Sequence, residues 1–227
     1  MKKKILAIVL CVAMLAIAVV GGTMAYFTDS QAATNTFTVG SVEIELLEST
    51  LHRVVDNATD DAIKTDAAGY AAYLAENGTN VMPGRNIRKA PYVVNTGKND
   101  AYVRVRLLIP AGLFVEDGVF VMVTTTALNN GDITGPVKNA AARSTIDGVV
   151  YDEFVFTYKD ALKPGEMTYW PAFWQVGLDA TCDNDDIAAF LAAGLLDANY
   201  AFNILVEADA IQAEGFTTAA EAFAKFN

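Results

Sequence analysis

Tyr102-Val103-Arg104-Val105-Arg106-Leu107 decides the fold. Apolar and polar side chains alternate with period two. Val103, Val105 and Leu107 therefore face one way and Tyr102, Arg104 and Arg106 the other, as on a strand in a packed sheet. Upstream, Tyr92-Val93-Val94 reads as a second strand, and the turn-forming run Asn95-Thr96-Gly97-Lys98-Asn99-Asp100 between the two predicts a hairpin. The pattern continues outward through Ser41–Leu46, Phe120–Thr124, Val149–Tyr151, Phe154–Tyr158, Met167–Val176 and Tyr200–Val206. Short strands at this density, with Gly, Asn and Pro between them, predict an all-β protein: a jelly-roll-like antiparallel β-sandwich.

Three stretches break the period and read as short helices, two in inserted connections and one at the C-terminus. Asp66–Glu76 is Ala-rich and stops before Asn77-Gly78, and Asp185–Leu196 opens with acids, which suit a helix N-terminus. Thr218-Ala219-Ala220-Glu221 is a capping-box pattern that opens the third, with Phe223 and Phe226 on one side. Met82-Pro83-Gly84 and Lys163-Pro164-Gly165 form a weak internal echo, since Pro-Gly presets a turn before a strand.

The N-terminus carries a different signal. Lys2, Lys3 and Lys4 precede an unbroken apolar run, Ile5–Val20, and small residues follow at Thr23 and Ala25. This is the layout of an export signal, with cleavage between Ala25 and Tyr26. A retained anchor is the rival, but a spanning helix wants about 20 apolar residues. The expected organisation is a signal peptide over 1–25, a free N-terminal strand over 26–40 and one sandwich domain over 41–227. The product would be extracellular, in a matrix or at the cell surface, meeting the membrane only during export.

Gly21-Gly22-Thr23-Met24-Ala25-Tyr26-Phe27-Thr28-Asp29, then Asn35–Gly40 and Val42–Leu46, resemble the TasA/camelysin family of secreted Gram-positive proteins. The likeness is strong over residues 1–48 and looser over Val81–Pro110, Leu162–Val176 and Phe202–Asn227. It implies a dedicated SipW-type signal peptidase as an export partner. In the family's fibre-forming members it also implies assembly by donation of the mature N-terminal strand to the next subunit, a homopolymer of the biofilm matrix in which other matrix proteins can join. The assembly strand would then be carried by Tyr26, Phe27, Thr28, Asp29 and Phe37. Residues 26–38, fully extended, reach about 40 Å. The alternative is that the segment pairs within its own domain as an edge strand.

Composition narrows the chemistry. Loss of residues 1–25 removes three lysines and no acid, moving the net charge from −11 to −14. Such a chain does not bind nucleic acid by charge. Cys11 leaves with the signal, so Cys182 has no partner for an internal disulfide, and burial as an inert thiol is expected. The acids at 179, 183, 185 and 186 oppose its ionisation.

His52 is the only histidine, which rules out the two imidazoles of the usual zinc-protease helix, although the camelysin name belongs to a protein described as a protease. It sits at a strand end beside no nucleophile motif and is expected to be an exposed loop residue. No catalytic residue and no cofactor are assigned, and the protein is expected not to be an enzyme. Asp183–Asp186 and Asp56–Asp61 could hold calcium through oxygen ligands but lack EF-hand spacing. Glu43 and Glu45 look like the solvent side of a strand. In Tyr169–Trp174 both faces are apolar, which predicts core. If exposed, these rings would instead make a monomeric surface module that binds wall or matrix polysaccharide.

Overall fold

The computed structural model describes residues 41–79, 81–113, 120–124 and 131–225. The signal peptide, the Ala25–Tyr26 cleavage point and the assembly strand with Tyr26, Phe27, Thr28, Asp29 and Phe37 lie outside the described residues.

The described strands are β1 (Ile44–Ser49), β2 (Asn86–Arg88), β3 (Ala90–Asn95), β4 (Ala101–Pro110), β5 (Phe120–Thr124), β6 (Ile133–Ile146), β7 (Val149–Tyr158), β8 (Phe173–Leu178) and β9 (Leu205–Gln212). All pair antiparallel, in a four-stranded sheet β6-β7-β4-β9 and two smaller ones, β1-β3 and β2-β8-β5. The two small sheets run on end to end. Lys89 N–H donates to Trp174 O, Ala172 N–H to Pro91 O, Thr168 N–H to Val93 O and Asn95 N–H to Glu166 O, so pairing continues across the junction. The chain crosses repeatedly between this layer and the four-stranded one, which makes an all-β sandwich.

The alternation along β4 is realised. Val103, Val105 and Leu107 are fully buried against Phe154 and Phe156 of β7 and against Val93, Phe173 and Val176 of the opposing layer. Phe156 and Phe173 meet between the sheets with ring centroids 5.7 Å apart. On the other face, Arg104 and Arg106 converge on Asp209 of β9, and Arg106 also reaches Glu153 and Glu207. The first helix, α1 (Asp60–Asn77), buries Ile63 and Tyr70. Ile63 packs against Ala90, Tyr92, Val94 and Met167, so β3 is buried on both faces.

Several expectations need correction. Tyr92–Val94 and Tyr102–Leu107 do not form a hairpin: β3 pairs with β1, whereas β4 pairs with β7 and β9. The turn-rich connection is a corner between sheets. Gly97 N–H donates to Glu43 O and Lys98 N–H to Ser41 O, and the Asn95 side chain donates to Asn99 O and Leu162 O. The first helix starts earlier than expected, because Thr59 caps it by accepting from Ala62 N–H, and it is long rather than short. Strand β6 has no counterpart in the sequence reading. Gly135-Pro136 interrupts its pattern, and its register with β7 shifts at that point, as a proline requires of an edge strand.

The other helical readings hold in outline. Helix α2 (Asn184–Ala192) opens on a full capping box between Asp183 and Asp186. Helix α3 (Ala219–Phe223) is capped by Thr218, which accepts from Glu221 N–H. The Glu221 carboxylate, however, turns back to the Thr217 amide and hydroxyl. Both Pro-Gly pairs form the same turn. Arg85 N–H reaches Met82 O and Glu166 N–H reaches Lys163 O, with Gly84 and Gly165 at φ 77° and 80°, the positive φ that a type II turn demands.

Candidate functional site: an open sandwich edge

Strands β1 and β9 lie at sheet edges, and neither has a second strand partner among the described residues. Their inward side chains complete the main core only in part. Ile44 and Leu46 from β1, and Ile204, Val206, Ala208 and Ala210 from β9 and its lead-in, pack on that core yet stay half-buried. Every residue of β9 from Leu205 to Ile211 is half-buried. An edge strand offers a row of backbone donors and acceptors, and here the row borders half-buried apolar side chains. Glu43 and Glu45 point to solvent, as their alternation predicted.

His52 is not an exposed loop residue; it is completely buried. Its Nδ1 accepts the N–H groups of Val54 (3.2 Å) and Val55 (3.1 Å), and its ring lies 5.9 Å from Trp170 and 5.4 Å from Trp174. Burial holds its pKa below the ordinary value of 6.5; Asp56 raises it and Arg88 lowers it. No sequence pattern marks this residue for burial, because its neighbours come from positions far along the chain.

The aromatic run is core only in part. Trp170 and Phe173 are buried, and the Trp170 indole donates to Asp132 (2.9 Å). Tyr169 is 55% exposed, with the Arg53 guanidinium 4.9 Å above its ring. Cys182 is buried, and burial together with Asp186, Asp183 and Asp179 pushes its thiol pKa up.

Four of the acids singled out for calcium have other partners. Asp183 and Asp186 cap α2, Asp56 binds Arg88 and the His52 amide, and Asp60 pairs with Arg53. Among the described residues no group of three or more His, Cys, Asp or Glu is placed to hold a metal ion. No described helix is long and apolar enough to cross a membrane.

The fold is an all-β sandwich whose edge strands β1 and β9 are incompletely covered. The family model described as camelysin metallo-endopeptidase matches residues 1–101, so the N-terminal part of the chain is similar to that family. Comparison with curated proteins and with solved structures found no match. The name of that family implies a metal centre, and the described donors do not fit one. The single imidazole spends Nδ1 on two backbone amides and is enclosed by indole rings.

Proposed function

We propose that this chain is a secreted, non-enzymatic structural protein of the extracellular matrix. It assembles into fibres when Tyr26–Thr38 of one copy is added to the open sandwich edge of the next. The half-covered apolar seam along β1 and β9 is the observation that carries the reading. Strand addition supplies affinity through main-chain hydrogen bonds and register through alternate side chains, for which Tyr26, Phe27 and Phe37 are suited. A head-to-tail contact of this kind does not close on itself and therefore propagates. The partners are further copies, other matrix proteins and, during export, the signal peptidase that frees Tyr26.

Deleting residues 26–38 while keeping the cleavage junction should abolish filaments in electron micrographs and leave the circular dichroism of the sandwich unchanged. Filaments of unchanged number and width would refute the proposal. Exposed Tyr169 favours one further reading, a polysaccharide-binding surface. Trp170 is buried, so its loss would report on the core, and Tyr169→Ala is the informative variant in a glycan pull-down.

A further inference from the structure

His52 combines features that the assembly reading does not use. It is fully buried, its Nδ1 is an acceptor for two backbone amides, and its Nε2 is enclosed without a hydrogen-bond partner. A ring nitrogen that accepts cannot carry a proton, so the neutral ring bears its proton on Nε2. We propose that His52 is an acid-operated latch. When neutral, it ties down the Arg53–Asp56 turn, and with it the inserted segment carrying α1, on the outer face of the β1–β3 sheet; protonation releases that segment.

Protonation would place a hydrogen on Nδ1 where two N–H groups already point, removing both bonds and setting three donors against one another. The new charge would lie between the Trp170 and Trp174 rings. The charged and titratable groups around it are already engaged. The Asp56 carboxylate accepts the His52 backbone N–H (2.8 Å) and pairs with Arg88 (3.0 Å), whose guanidinium also lies 5.5 Å over the Trp174 ring. Arg53 pairs with Asp60 and lies over Tyr169, and its amide donates to the Tyr92 hydroxyl. Asp132, on the far side of Trp170, holds the indole N–H. Asp56 alone favours the imidazolium, and burial outweighs it.

The sign follows from these contacts. The folded pocket prefers neutral imidazole, so the stability it lends is complete above the ordinary value of 6.5 and is lost as pH falls below it. The turn leads directly into the cap of α1, and its release would uncover Ala90, Tyr92, Val94 and Met167.

The chain's two tryptophans flank its one histidine, so indole fluorescence reports the titration directly. In the secreted protein, emission between pH 7.5 and 5 should follow a one-proton transition with a midpoint below 6.5. Amide exchange of residues 63–70, corrected for intrinsic rates, should accelerate over the same range. The limit at pH 5 is about thirtyfold, set by an opened imidazole with its ordinary pKa. His52→Asn keeps a side-chain oxygen able to accept from Val54 and Val55 but does not titrate, so its emission and exchange should be flat. The latch is overturned if wild-type exchange changes less than twofold while fluorescence titrates, if no transition occurs, or if His52→Asn keeps the wild-type pH dependence. Should that variant fail to fold, the two wild-type measurements decide by themselves.

Discussion

Asp66→Ala tests how α1 is held. The Asp66 carboxylate accepts the Ser49 hydroxyl (2.7 Å), the Thr50 amide (2.6 Å) and the Thr50 hydroxyl (2.9 Å), which joins the helix to the end of β1. Hydrogen bonds to a charged acceptor contribute about 1.5–3 kcal/mol each, and three on one half-exposed carboxylate add to less than their sum. Alanine returns roughly 0.6 kcal/mol of helix propensity. The expected loss is therefore about 2–3 kcal/mol. The fully buried apolar contacts of α1 are Ile63 and Tyr70, each contributing about 1.5–3 kcal/mol, with Tyr73 partly buried beside the main core. Helices in proteins owe most of their stability to tertiary packing rather than to propensity. Loss of Asp66 should accordingly open α1 while the sandwich stays folded.

Hydrogen exchange at neutral pH is the assay. Amides of residues 63–70 should exchange about 30- to 150-fold faster, the equivalent of 2–3 kcal/mol, and those of β4 at the wild-type rate. If α1 protection stays within about threefold of wild type, the polar anchor has been overvalued. If β4 loses protection in parallel, α1 is not a separate cooperative unit, and the reasoning fails.

Two further substitutions probe the sandwich. Phe156→Ala removes a ring that is 1% exposed and packed on Phe173, and should cost about 3–5 kcal/mol in urea denaturation; a loss under about 1 kcal/mol would contradict the inter-sheet contact. Gly97→Ala would place a Cβ 2.6 Å from Ser41 O and 2.7 Å from Glu43 N, whereas the Cβ of Gly165→Ala meets open space and faces only its positive φ, worth about 1–2 kcal/mol. Gly97→Ala should therefore melt well below Gly165→Ala, and the reverse order would refute the corner geometry.

Local chemistry was legible in the sequence, and non-local pairing was not. The alternation of Val103, Val105 and Leu107 reports one strand's own faces, and Thr218 and the acids in the first turn of α2 report their own helix starts. None of these says which strand lies alongside. The hairpin expected around Asn95–Asp100 failed because a turn-rich connection of that length serves a corner as readily as a hairpin; only the contacts of Gly97 and Lys98 with Glu43 and Ser41, just ahead of β1, distinguish the two. Of the candidate site, the exposure of Glu43 and Glu45 was readable from period two. The burial of His52 was not, because Trp170 and Trp174, which enclose it, lie more than a hundred residues away.

The position of β4 also governs when this protein can fold. One neighbour, β7, follows it by some tens of residues, and the other, β9, is completed only at Gln212. A chain delivered N-terminus first must keep β4 waiting, half its ladder unmade, until Gln212 has emerged. Such long-range pairing belongs to the slow end of domain folding, on the order of milliseconds to seconds. Any truncation ahead of β9 leaves an apolar strand edge beside the core, which makes incomplete chains targets for quality-control proteases.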